Sequence, residues 1–106
     1  MNNKFSVIIR FNENAINHVV VNFIANKLYK IQTELINNKI KIDNILFHND
    51  FYLIYTKEKH VTFILVTEKD QIDLLQFFYN LDHEMYFDII NIKRIKEDDI
   101  YENKTK

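Results

Sequence analysis

The centre of the chain reads His60-Val-Thr-Phe-Ile-Leu-Val-Thr67. Phe63 and Leu65 fall on one face of a predicted strand. Ile64 and Val66 fall on the other, so both faces are apolar. A strand of this kind is typical of the middle of a sheet that is covered on both sides. We therefore expect residues 60–67 to form a central strand with one helix above it and one below.

Three other segments have the alternation or β-branched composition of strands. They are Phe5–Phe11, Ile40–Phe47 and Phe51–Thr56. The linkers around the last of these are short enough for hairpins, which predicts antiparallel pairing. The sequence thus predicts an α/β (α+β) domain with an antiparallel sheet of four to five strands.

A helical spacing of apolar residues extends from about Glu13 to Asn38. Asn12 or Asn14 is suited to cap its start. The β-branched run Val19-Val20-Val21 also fits a strand, so residues 14–21 stay open between helix and strand. Asn37-Asn38 is expected to end the helix, because Asn tolerates the left-handed conformation that follows many helices.

A second helix is predicted to begin at Thr67-Glu-Lys-Asp70, which resembles a capping box with Asp70 at the N3 position. This helix is predicted to reach at least Ile90. Wound at about 100° per residue, it carries an ordinary core stripe. The stripe contains Leu74, Phe77, Phe78, Leu81 and Met85. A second apolar group lies beside it, formed by Ile72, Leu75, Tyr79, Tyr86 and Ile90.

The two groups together span an apolar arc of about 220°, roughly twice what packing on one sheet requires. Two explanations stay open: the chain's own tail or a short third helix covers the second group, or a partner protein does. Large aliphatic and aromatic side chains dominate interface hot spots. We therefore predict that the second group, from Ile72 to Ile90, binds a partner.

Composition narrows the class of protein. The chain has 106 residues, the size of one domain, and a net charge of −1, which argues against a general nucleic-acid binder. It contains no Gly, so Gly-rich phosphate loops are excluded and left-handed positions are expected to fall to Asn or Asp. It contains no Cys and no apolar run long enough for a membrane span, which suits the cytoplasm.

No arrangement of side chains predicts catalysis, a cofactor or a metal. His18, His48, His60 and His83 lack the spacing of a helical metal pair. Ser6 lies inside a predicted strand without a nucleophile elbow. Asp98-Asp99 is interpreted as part of a solvated tail. The sheet aromatics are assigned to the core in preference to base stacking; they are Phe51, Tyr52, Tyr55 and Phe63.

The order strand, long helix, three antiparallel strands, long helix resembles the longin-type (SNARE-like) fold of vesicle-trafficking proteins. Within that group the chain is most similar to the sedlin-type subunits of the TRAPP tethering complex. The resemblance covers roughly Phe5 to Asn91. It is carried by Val21-Asn-Phe-Ile-Ala25, Phe51-Tyr-Leu-Ile-Tyr-Thr56, Val61-Thr-Phe-Ile-Leu-Val66, Ile72-Asp-Leu-Leu-Gln-Phe-Phe78 and Tyr86-Phe-Asp-Ile-Ile-Asn91.

The resemblance implies a longin-like domain over residues 1–91, with a long helix on each face of the sheet, and a charged tail over 92–106. It further implies a non-catalytic subunit of an ER–Golgi tethering complex. Its partners are then other small subunits and, indirectly, a Rab-type GTPase at the cytoplasmic side of ER or Golgi membranes. Two alternatives share the fold group, a small adaptor or coat subunit and a roadblock-type scaffold. A third, of another class, is a small ligand-binding or enzymatic domain.

Overall fold

The computed structural model describes residues 2–16, 22–48 and 59–96, and for residues 13, 14, 83 and 84 it describes the backbone alone. Within these ranges the chain forms four strands and three helices. The strands are β1 (Asn3–Phe11), β2 (Lys41–Phe47), β3 (Lys59–Thr67) and β4 (Phe87–Ile95). The helices are α1 (Glu13–Ile16), α2 (Phe23–Asn37) and α3 (Gln71–Met85).

The four strands form one sheet in the order β2-β3-β1-β4, and every neighbouring pair is antiparallel. The predicted strands at 5–11, 40–47 and 60–67 are confirmed, as is the central place of β3. The predicted strand Phe51–Thr56 lies outside the described residues. With its helices counted, the chain follows the split β-α-β order of ferredoxin-like domains.

Both long helices pack on the same face of the sheet, and the expectation of a helix on each face is wrong. One core joins the inward residues of β1 and β3 to Ile31 of α2 and Leu74 of α3 in a single buried cluster. The described strands do not follow the longin-type order either, since β4 follows α3 and pairs with β1.

The expectation of a second helical layer came from Ile64 and its apolar side chain. Ile64 is only 8% exposed, although no helix among the described residues lies above it. Ile64 sits in a central strand, between Ser6 of β1 and Asn44 of β2. Neighbouring strands on both sides exclude much of the water from such a position. Apolar residues on both faces of β3 therefore indicated a central strand correctly, but not a second helical layer.

The second helix ends at Met85, so the prediction that it reaches Ile90 is wrong. Tyr86 caps it in the left-handed conformation, at φ 60°, and the next nine residues form β4. The strand continues through the predicted domain boundary at 91/92. The chain has no Gly or Pro at this point to indicate the end of the helix. The positions of Tyr86 and Ile90 fit a helical spacing, and they were therefore assigned to the helix.

The first predicted helix is two helices. Asn12 caps α1, since its Oδ1 accepts a hydrogen bond from the Ala15 amide at 3.3 Å. The second helix, α2, ends at Asn37 as expected. Residues 17–21, which include the Val19-Val20-Val21 run and His18, lie outside the described part of the chain.

α3 starts three residues later than the sequence predicts, with a different cap. Asp70 is the N-cap, and its Oδ1 accepts a hydrogen bond from the Asp73 amide at 2.8 Å. The Thr67 hydroxyl instead accepts from the Lys69 amide at 3.1 Å, which turns the chain out of β3. The proposed box was therefore shifted by three residues.

Candidate partner-binding surface

The second apolar group predicted on α3 is divided by the structure. Ile72 is 74% exposed and Tyr79 is 56% exposed. Leu75 and Tyr86 are partly buried against the core. Ile90 is 44% exposed, on β4 and not on the helix. The structure thus leaves three of the five predicted residues accessible to a partner.

Tyr86 packs against the core and is partly buried. Its ring meets that of Phe23 edge-on, with the centroids 5.2 Å apart. The Lys27 Nζ lies 5.1 Å from the Phe23 centroid and 5.4 Å from that of Tyr86, a distance suited to cation–π attraction. This cluster joins the first turn of α2 to the end of α3. Tyr86 thereby contributes to packing, which its helical position in the sequence did not reveal.

The three accessible residues lie on two elements that pack together. α3 packs on β4, which is an edge strand of the sheet. The Gln71 Nε2, at the start of the helix, donates to the Ile92 carbonyl at 3.1 Å and holds the two elements together. We call the exposed part of this pair, formed by Ile72, Tyr79 and Ile90, the α3–β4 surface.

The opposite edge carries exposed apolar residues that the sequence analysis did not single out. α2 packs on β2 there, and Tyr29 and Ile36 of α2 are 71% and 65% exposed. Leu46 and Phe47 of β2 are also exposed. The sequence contained one indication of this second exposed group. Tyr29 and Ile36 are seven residues apart, as Ile72 and Tyr79 are, and this spacing places both residues of a pair on one side of a helix.

The face of the sheet opposite α2 and α3 carries polar groups at one end. His48, directly after β2, and His60 of β3 lie with ring centroids 5.2 Å apart, and the His48 Nε2 is 3.4 Å from the Thr62 hydroxyl. On the neighbouring strands the Arg10 Nη2 donates to Asp88 Oδ2 at 3.0 Å. Arg10 and Asp88 are both substantially exposed, so this ion pair contributes little to stability.

Phe63 is completely buried in the core and is not available for base stacking, as expected. The other aromatics considered for that role, Phe51, Tyr52 and Tyr55, fall outside the described ranges. Within those ranges no three His, Asp or Glu side chains come together as a metal site. Likewise, none of the described helices combines the length and hydropathy needed to cross a bilayer.

Comparison with known proteins adds no assignment. No protein-family model matches this chain, and no curated protein matches its sequence. The likeness to trafficking proteins consequently depends on the residue pattern alone.

Proposed function

We propose that this domain works by binding another protein through its α3–β4 surface. The observation that carries the proposal is the exposure of Ile72, Tyr79 and Ile90 on two elements packed together at an edge of the sheet. Large apolar side chains grouped on a surface are a mark of interaction sites. Isolated ones are common on any protein, but Ile72 and Tyr79 lie two turns apart on the same side of α3.

The edge strand strengthens this proposal. β4 has β1 on one side and no further strand on the other among the described residues. Such an edge offers backbone groups to an added strand, while neighbouring side-chain pockets select the partner. A partner that pairs with β4 and covers Ile72 and Tyr79 would use both kinds of contact at once.

The identity of the partner is a narrower proposal. A subunit of a vesicle-tethering complex, acting without catalysis near ER and Golgi membranes, follows from the resemblance to sedlin-type proteins. That resemblance assumed a longin order of elements, from which the described strands differ. Protein binding at the α3–β4 surface does not depend on it.

The test replaces an exposed residue of the surface with a charged one. We expect Ile72→Asp and Tyr79→Asp each to release partners that co-purify with the tagged full chain from its own cells, measured by native mass spectrometry. Their melting temperatures should stay within a few degrees of the parent, because surface substitutions usually change stability by about 0.5 kcal/mol or less.

Gln76→Asp is the matched control, since Gln76 is exposed on the same helix and is not part of the apolar group. Leu75→Asp is unsuitable as a test because Leu75 packs partly against the core, so its loss would confuse folding with binding. The proposal is wrong if the Ile72 and Gln76 variants retain partners equally. A monomer that carries only a small molecule would also contradict it.

A further inference from the structure

Positive charge is concentrated at one end of the sheet, where β1 begins and β3 ends. Two surface hollows of about 490 and 650 Å³ lie there and share Asn2 and Val66 in their walls. Each hollow has three cationic side chains in its lining. These six residues, which we call the basic end, are Lys39, Lys41 and Lys69 in the first hollow and Lys4, Arg94 and Lys96 in the second.

The strand register brings these cations together from distant parts of the chain. Val66 of β3 pairs with Lys41 of β2 on one side and with Lys4 of β1 on the other. Lys4 in turn pairs with Ile95, next to Arg94. These pairs form one row across the whole sheet. The Asn3 Nδ2 donates to the Lys69 carbonyl at 3.2 Å and fixes the loop before α3 to the same end.

Among the described residues, carboxylates at this end are fewer than cations. Glu68 lines the first hollow, and Asp43 pairs with the Lys4 Nζ at 3.2 Å. Asp70 accepts a hydrogen bond at the start of its own helix. The complete chain has a net charge of −1, so the excess of positive charge is local. A local excess of this kind attracts anionic groups and guides their approach.

We propose that the basic end binds an acidic segment of a protein. Cations on an edge strand also protect it from unwanted pairing, which accounts for Arg94 on β4. That role does not account for Lys39 and Lys69, which lie outside the strands. The site is next to the α3–β4 surface, because Lys69 lies just before α3 and Arg94 lies in β4, but its attraction for anionic groups does not depend on that surface.

A nucleic acid is the less suitable occupant. Proteins that bind single strands stack bases on aromatic side chains, and neither hollow has an aromatic residue in its described lining. A duplex would need a longer basic face, since each helical repeat presents phosphates over many ångströms. An acidic peptide needs only the few cations of one end.

The test measures binding of the full chain to a fluorescent glutamate-rich peptide by anisotropy at low salt. A glutamine-rich peptide and an oligothymidylate of equal charge are measured beside it. We expect the acidic peptide to bind, the neutral peptide to fail, and added salt to weaken the complex. Lys41→Glu and Arg94→Glu should each weaken it by about three- to fivefold or more, as expected for the loss of a surface ion pair and its replacement by repulsion.

Lys30→Glu is the matched control, because it makes the same change in net charge on the exposed side of α2. It should weaken binding by less than about twofold at moderate salt, where distant charges are screened. Lys69→Glu serves as a second variant of the first hollow if Lys41→Glu lowers the melting temperature. The proposal is overturned if the acidic peptide does not bind, if Lys30→Glu is as harmful as Arg94→Glu, or if the oligothymidylate binds more tightly than the peptide.

Discussion

Lys39 holds a backbone conformation that normally belongs to glycine, with φ at 61°. The end of α2 explains why it is held there. The Lys39 amide donates to the Ile36 carbonyl at 3.0 Å, and the Ile40 amide donates to that of Leu35 at 2.9 Å. Together they form a Schellman motif, in which the apolar residue after the turn packs against the last turn of the helix. Ile40 and Leu35 are both buried accordingly.

Asn22 is the only one of the three left-handed residues in the described ranges that fits the expectation of Asn or Asp. The other two are Lys39 and Tyr86, and for them the expectation is wrong. Contacts made by neighbouring residues compensate the strain in both cases. At Tyr86 the ring itself packs against Phe23, an aromatic contact that an Asn side chain could not make.

Lys39→Gly should therefore stabilise the protein by about 0.5–1 kcal/mol, because Gly adopts this conformation without a steric cost. Urea unfolding followed by circular dichroism measures the change. Tyr86→Gly is the contrasting variant: it removes the same strain together with an aromatic contact and should lower stability. If Lys39→Gly destabilises the chain, the left-handed turn at this position is not strained as described.

At the scale of the elements, the start of α3 is stabilised by one side-chain cap, that of Asp70. Asp70→Ala removes the oxygen that accepts the Asp73 amide, and N-cap losses of this kind cost about 1 kcal/mol. Asp73→Ala is the control within the same turn. It removes a carboxylate near the helix dipole but leaves the cap, and should cost only about 0.3–0.5 kcal/mol. Equal losses in thermal denaturation would show that Asp70 acts by charge alone.

The strands were predictable wherever one face is buried. In β1 the residues Phe5, Val7, Ile9 and Phe11 are all almost completely buried, as their alternation indicates. The fourth strand was missed because its pairing with β1 is interrupted by an irregularity between Ile8 and Ile9. The shift adds one residue to β4, so Ile89 and Ile92 lie on the same face of the sheet although they are three residues apart in the sequence. They pair with Ile9 and Val7 of β1.

The candidate site was predictable only in part for the same reason. A helical wheel places Tyr86 and Ile90 beside Ile72, but the helix ends before either of them. Ile72 and Tyr79 lie inside α3, so their exposure follows from the 3.6-residue period. Ile90 is exposed for a different reason: it lies at the irregular part of β4, an edge strand of the described sheet.

For the molecule as a whole, stability depends on a group of aromatic rings between sheet and helices. Phe78 is completely buried, and its ring lies 6.4 Å from that of Phe63 and 6.3 Å from that of Phe87. These contacts connect α3 to β3 and to β4. Such a residue belongs to the tightly packed interior, where a deleted ring leaves a cavity.

Phe78→Ala should cost about 3–5 kcal/mol, a large share of the roughly 5–15 kcal/mol that stabilises a typical domain. Tyr79→Ala, one residue along the same helix and mostly exposed, should cost about 0.5 kcal/mol or less. Guanidinium unfolding of both variants gives the comparison. Similar losses for the two would contradict the orientation of α3 described above.

The order of the strands also has a consequence for synthesis on the ribosome. Strand β1 is made well before its partners, since Lys4 pairs with Val66 and with Ile95, which are added much later. Contacts so distant along a chain form slowly, because a long loop must close before they gain anything. The nascent β1 segment must therefore wait for its first partner strand until β3 has been made, and for its second until translation has passed β4.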